Sequence, residues 1–167
     1  MLGSNRGMPL APGRRNYGWP AVVALLLIAC AGCVSQSSLE RATTLRCPDC
    51  PELQVTRVVD GDTFDTPSGR VRIFGIDTPE RGERCYGEAK KGLKSLIGST
   101  VRLEPGPRTM DSTGRLLYYA YTAAGNSVDE ILVSAGLAEA WTRDGQHRDY
   151  LLEIERSARL SGAGCLW

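Results

Sequence analysis

The sequence predicts a mainly β domain with about three helices, its sheet rolled into a five-stranded barrel. Three observations lead there. Five short segments carry strand patterning, three before residue 77 and two after residue 99. Tight-turn residues join the first three, and an amphipathic stretch separates the two groups. Residues 53–167, which carry the whole pattern, have the length of one domain with a modest core.

Each element has a local reason. Val55, Arg57 and Val59 alternate with Thr56 and Val58, which suggests a strand. Asp60-Gly61-Asp62 is a turn signal, and Thr63-Phe64-Asp65-Thr66 is the second strand. Pro67-Ser68-Gly69 turns the chain again, into a third strand from Arg70 to Ile76. From Tyr86 to Ile97, Ala89, Leu93, Leu96 and Ile97 recur at helical spacing. Lys90, Lys91 and Lys94 fall between them and read as a solvated face. Thr100–Glu104 and Leu116–Thr122 are the fourth and fifth strands. Ser127–Ser134 is a helix ending near Gly136. Asp149–Leu160 is the last helix, with Leu151, Leu152, Ile154, Ala158 and Leu160 as its apolar residues. Three strands, a helix and two strands follow the order of an OB-fold barrel, whose closure removes most of the edges a small sheet would expose.

The N-terminal residues have a different character. Arg14 and Arg15 precede an apolar stretch from Trp19 to Ala29, shorter than the roughly 20 residues that span a bilayer. A basic start, a short apolar middle and small residues at the end make residues 1–33 a bacterial export signal. Leu27-Ile28-Ala29-Cys30 also has the form of a lipoprotein signal box, and Ala31-Gly32-Cys33 is a second candidate. Motif fit favours Cys30. Parity favours Cys33, because cleavage there leaves Cys47, Cys50, Cys85 and Cys165 as an even set. A plain secretory signal or an uncleaved anchor are the other readings. Every one of them puts the domain outside the cytoplasm, in the cell envelope or secreted, and a lipid anchor would make the membrane a partner. Residues 34–52 are polar, with Ser, Thr and Pro, and read as a linker.

Charge narrows the function. The formal net charge is +1, but residues 1–33 hold Arg6, Arg14 and Arg15 and no acid. Without those three, 17 basic residues face 19 acidic ones, a balance near −2. Bulk electrostatic capture of nucleic acid is therefore excluded, and any phosphate recognition is local. The four later cysteines fit an oxidising compartment and allow three pairings. Adjacency favours Cys47–Cys50, which leaves Cys85–Cys165. Cys47-Pro48-Asp49-Cys50 read as half a zinc site would need two more good ligands, and His147 is the single histidine.

Two acidic clusters stand at the ends of predicted strands: Asp60-Gly61-Asp62-Thr63 and Asp77-Thr78-Pro79-Glu80. Alone, the first is an ordinary turn and the second a loop or helix start. Arg72 lies in the strand leading to Asp77, and Arg115 follows Asp111-Ser112-Thr113-Gly114. Taken together, Val59 to Thr63, Val71 to Glu80, Tyr86-Gly87-Glu88-Ala89, Asp111 to Arg115 and Gly136-Leu137-Ala138 resemble the signature of the thermonuclease (staphylococcal nuclease) family, in the family's order. The resemblance covers about residues 53–167.

The resemblance implies a nuclease-type OB barrel and a role for each matched residue. Asp62 and Asp77 match calcium-binding carboxylates, with Thr78 supplying a backbone carbonyl. Glu80 matches the general base for the attacking water. Arg72 and Arg115 match the pair that binds the scissile phosphate, and Asp111, Thr113 and Trp141 fall at the substrate pocket. The chemistry suits those roles independently. Guanidinium groups offer paired planar donors to phosphate oxygens. Calcium takes 6–8 oxygen ligands, so three from the protein leave room for water and substrate. The implied activity is calcium-dependent phosphodiester hydrolysis of DNA and RNA with low sequence specificity, leaving 5′-hydroxyl and 3′-phosphate ends. The competing expectation is an inactive or weak binding module of the cell envelope. A monomer with no protein partner is expected.

The sequence also departs from the family. Ser112 and Thr113 stand where the family's pocket has Lys and Tyr, and one large aromatic, Trp141, remains near its later tyrosines. Stacking contributes about 1–3 kcal/mol per base, so nucleotide binding should be weaker or altered in preference. The loop from Arg81 to Cys85 is short, and a bridged Cys85 would hold Glu80 more rigidly. Arg81 and Arg84 read as solvated loop charges, and His147 as a loop residue.

Overall fold

Alternation along the strands decides what this barrel buries. In the computed structural model, which describes residues 43–167, Phe64, Val71, Ile73, Val101, Leu103 and Ala120 all turn inward and are 0–3% exposed. The expected export signal, Cys30, Cys33 and the start of the expected linker lie outside the described residues. In chain order the elements are β1 (Glu52–Gln54), β2 (Arg57–Val58), β3 (Thr63–Thr66), β4 (Gly69–Ile73), β5 (Ile76–Asp77), α1 (Tyr86–Ile97), β6 (Thr100–Met110), β7 (Leu116–Tyr121), α2 (Val128–Ser134), β8 (Glu139–Ala140) and α3 (Arg148–Ser161).

The main sheet runs β1-β6-β7-β4-β3-β2, and β5 pairs with β8 in a small second sheet. Only β4 and β7 are parallel; the remaining pairs are antiparallel. The outermost strands, β1 and β2, are two halves of one bent segment interrupted at Val55-Thr56. Val55 N donates to Ser99 O on one side and Thr56 N to Asp65 O on the other, each at 2.9 Å. One continuous stretch thus occupies both edges, and the sheet closes on itself as the OB order requires.

Helices cover the barrel. Ala89, Leu93 and Ile97 of α1, at i, i+4 and i+8, are buried, and Leu93 and Ile97 join Val128, Leu132 and Val133 of α2 and the inward strand residues in the main core. A second cluster gathers Phe74, Leu117, Tyr119, Tyr121, Ala140 and Leu151 on the other side of the sheet. Gly92 is set by packing, because a Cβ there would lie 2.9 Å from Leu137 Cδ1. The α2 N-terminus is capped by Ser127, whose hydroxyl accepts from Glu130 N at 3.1 Å.

Three sequence expectations need adjusting. The third strand is not continuous to Ile76: it breaks at Phe74-Gly75, where Gly75 N donates to Asp129 Oδ1 at 3.2 Å and Gly75 O accepts from Trp141 N at 2.8 Å. Strand β6 runs to Met110 rather than Glu104. Pro105 and Pro107 are tolerated because the pairing with β7 shifts register between Pro105 and Met110. The polar stretch read as a linker to residue 52 is seated on the domain from Thr43 onward. Thr44 N and Leu45 N donate to the Glu130 carboxylate at 3.0 and 2.9 Å, and Cys47 N donates to Gly125 O at 2.9 Å. Cys47–Cys50 and Cys85–Cys165 are the disulfides, with Cα–Cα distances of 5.3 and 5.7 Å.

Candidate active site

The Asp60-Gly61-Asp62 turn joins β2 to β3. Val59 N and Asp60 N both donate to Thr63 O, and Asp62 N donates to Asp60 Oδ1 at 3.1 Å. Glycine is required at 61 by close approach: a Cβ there would sit 2.7 Å from Thr78 Oγ1 and 2.8 Å from the Ala89 Cβ. The turn thereby lays Asp62 against Thr78. Asp62 is 6% exposed, and its Oδ2 accepts from both the Thr78 amide and hydroxyl at 3.0 Å. Its Oδ1 accepts from the Thr63 hydroxyl at 2.8 Å.

Arg72 stands on β4 between inward Val71 and Ile73, so alternation sends it to the opposite face. The break after Ile73 folds the chain around its guanidinium. Nη1 donates to Ile73 O and Ile76 O at 2.7 and 2.8 Å, while Nη2 donates to Asp77 Oδ1 at 2.5 Å and lies 3.5 Å from Asp62 Oδ2. Arg72, Asp62, Asp77 and Thr78 are therefore one bonded group. Burial raises the Asp60 carboxyl above its ordinary range, and the neighbouring Asp62 charge adds to the rise. Asp77 is raised too, by burial first, with Arg72 opposing and Asp62 adding. Its side chain keeps 60% of its accessible surface, so solvent screens much of that effect.

Arg115 begins just before β7, and its hairpin is organised by Asp111. Asp111 Oδ1 accepts from Thr113 N, Thr113 Oγ1 and Arg115 N at 2.8–3.0 Å, and Oδ2 accepts from Arg115 Nε at 2.7 Å. Burial alone would raise the Asp111 carboxyl, but these donors outweigh it and hold it well below the usual range. Thr113 is thus committed to the turn. Arg72, Arg115, Asp111 and Trp141 border a small cavity of about 90 Å³, together with Phe74, Arg108 and Leu117. The Arg72 guanidinium lies 5.6 Å from the Trp141 ring centre and that of Arg143 lies 5.2 Å from it.

Glu80 lies three residues past Asp77 and is exposed. Its backbone N donates to Glu83 Oε2 at 2.7 Å and its carbonyl accepts from Glu83 N at 2.9 Å. Among the described residues its carboxylate has no hydrogen-bond partner, so the structure does not tie it to Arg72 or Arg115. Also among the described residues, no group of three or more His, Cys, Asp or Glu side chains gathers as a metal cage. Asp62 and Asp77 are a pair of carboxylates beside an arginine.

Sequence reasoning missed the support of Trp141. Asp144 accepts from Trp141 Nε1 at 2.9 Å and from Arg108 Nε and Nη2 at 2.7 and 3.1 Å. Arg108 lies beyond Glu104, where the fourth strand was expected to end, and no spacing rule links it to Asp144. His147 belongs to a separate network: its Nε2 lies 3.1 Å from Glu104 Oε2, and Glu104 also accepts a short bond from the Tyr121 hydroxyl.

Fold and site together define an OB barrel with two carboxylates and two arginines gathered along one side. A family model described as "Staphylococcal nuclease homologue" matches residues 70–167. A thermonuclease of Staphylococcus intermedius is 38% identical over 98 residues, covering 52% of this chain and 57% of that protein. An uncharacterized endonuclease of Escherichia coli O157:H7 is 34% identical over 121 residues, 68% of this chain and 75% of that protein. A micrococcal nuclease of Shigella flexneri is 31% identical over 127 residues, 68% and 72% of the two chains. The chain belongs to the staphylococcal nuclease homologue family.

Proposed function

We propose that the protein is a calcium-dependent endonuclease that hydrolyses DNA and RNA with little sequence preference. The observation that carries this reading is Arg72, which bonds Asp77, approaches Asp62 and shares a cavity wall with Arg115. A phosphodiester gains charge on its non-bridging oxygens as water adds, and two planar guanidinium groups at one cavity match that charge. Asp62 and Asp77, with the Thr78 carbonyl, would hold the cation. All are hard oxygen donors, the kind calcium takes. Bound there, calcium supplies Lewis-acid stabilisation of the phosphoryl oxygens. In this reading a Glu80 carboxylate oxygen takes the proton of the attacking water. The water oxygen bonds to phosphorus and the bond to the 5′ oxygen breaks, leaving a 3′-phosphate and, once protonated, a 5′-hydroxyl. Trp141 offers one stacking surface to a base.

Export from the cytoplasm, with lipid attachment at Cys30 or Cys33, belongs to the same proposal, as does action as a monomer. The decisive test is cleavage of single-stranded DNA and RNA by the purified protein, with calcium and with excess chelator. Cleavage should require calcium. Undiminished cleavage in chelator removes the metal from the reading, and nucleic-acid binding without cleavage in calcium replaces the enzyme with a binding module.

A further inference from the structure

The C-terminal residues are seated tightly before they reach the site. Gly136 and Gly164 pack backbone to backbone: a Cβ on Gly136 would fall 1.9 Å from Ala163 O, and one on Gly164 would fall 2.1 Å from Ala135 O. Leu166 N donates to Gly136 O at 3.2 Å, and the Arg159 guanidinium lies 3.7 Å from the Trp167 ring centre. From this seat two links reach the loop that carries Glu80. Cys165 is bridged to Cys85, and Leu166 O accepts from Arg84 Nη2 at 2.6 Å.

Both links land between Glu80 and α1. Cys85 is 4% exposed and holds a φ of 72°, the one non-glycine residue with positive φ among the described residues. No side chain caps α1 there. A left-handed conformation at a residue with a Cβ costs free energy and persists where its surroundings enforce it. The bridged tail is such a restraint. Within the loop, the paired bonds between Glu80 and Glu83 carry the restraint onward from Arg84 and Cys85. Leu166, Glu83, Arg84, Asp77 and Thr78 also line one cleft of about 470 Å³, so the tail borders the site itself.

We propose that the C-terminal tail is a strap that positions Glu80, acting through the Cys85–Cys165 disulfide and the bond from Arg84 to the Leu166 carbonyl. The proposal rests on the reading of Glu80 as the base. Releasing the strap leaves Asp62, Arg72, Asp77 and Arg115 in place, because none of their bonds passes through the tail. The loop then carries the Glu80 carboxylate away from its working position, a loss that falls on kcat rather than KM. Turnover is consequently redox-sensitive. An external dithiol reduces the bridge to two thiols by exchange, itself becoming a disulfide, and slackens the strap.

The test uses the full chain bearing Cys85→Gly and Cys165→Ser, since glycine accepts the left-handed φ and separates loss of the bridge from backbone strain. Cys47→Ala/Cys50→Ala is the control, and Arg84→Met cuts the carbonyl bond while keeping the bridge. Steady-state kinetics on single-stranded DNA, a thermal melt and amide hydrogen exchange are measured on each. Expected are a fall in kcat of roughly 10- to 100-fold with KM nearly unchanged, and faster exchange confined to residues 80–86. Arg84→Met gives a smaller fall of the same kind, and the control gives none. A folded bridge-free variant with normal kcat overturns the proposal, as does an equal loss in the control. If the bridge-free variant melts globally, Arg84→Met decides, and normal kcat with normal exchange there overturns the strap. Should the parent protein cleave nothing, local exchange at residues 80–86 still tests the strap while the nuclease reading fails separately.

Discussion

The exposed Glu80 and the bonded Arg72 differ in what a substitution would reveal. Glu80 has no side-chain partner among the described residues, so Glu80→Gln should keep the thermal midpoint while lowering kcat by about 10²–10⁴-fold, the usual contribution of a general base. Near-normal turnover in that variant assigns the proton to another group. Arg115 tells a second story. Asp111 holds its Nε, and among the described residues its two Nη atoms have no partner, which leaves them able to face a phosphate. Arg115→Lys keeps the charge but loses the planar fork, and kcat/KM should fall at least tenfold in steady-state assays. A lysine variant as active as its parent argues against direct phosphate contact. Arg72 is a poorer probe, because its bonds to Ile73 O and Ile76 O also shape the chain break beside Asp77.

Elements with strong periodicity were legible from the chain; those fixed by distant partners were not. Helix α1 begins and ends where its apolar spacing does, at Tyr86 and Ile97. The Asp62, Arg72 and Asp77 grouping was readable through the family resemblance, since each acidic cluster alone reads as an ordinary turn or loop. Strand β8 has two residues, too few to show a period, and exists because β5 pairs with it. The seat of Thr44 and Leu45 depends on Glu130, more than eighty positions later, and polar composition gives no hint of such a partner. Ser127 offers a test at this scale. Ser127→Ala removes the acceptor for Glu130 N and should lower stability by about 1 kcal/mol in urea denaturation, with turnover at saturating substrate unchanged. A change within error would show that the contacts of residues 43–45 alone hold the start of α2.

For the whole molecule, one buried carboxyl sets a pH trend. Burial pushes Asp129 up to about 7, although its oxygens accept from Gly75 N and Ala120 N. The folded state thus holds this proton in a range where the unfolded chain, near its ordinary 3.8, has lost it. The stabilisation is complete below about pH 4 and is lost as pH rises through 7. Asp65, Asp111 and Asp144 act oppositely, because their carboxyls are held low and their contribution fades only in strong acid. Between pH 5 and 8 the Asp129 trend is left uncovered, and unfolding free energy from urea titrations should decline across that window. Asp129→Asn should flatten the decline at a lower overall stability. A profile that climbs from pH 5 to 8 in the parent protein would contradict the assignment.

The placement of the two bridges along the chain sets an order of assembly. Cys47 meets Cys50 after only two intervening residues, whereas Cys85 waits for Cys165, 80 positions further on. A chain oxidised as it emerges, amino end first, closes the short ring while both of those thiols are fresh. Among the described cysteines, Cys85 then has no unspent mate until Cys165 follows, 80 positions later. Vectorial emergence would therefore steer these four thiols to the partners they have in the structure without reshuffling, and closure of the long ring records that the chain has emerged as far as Cys165.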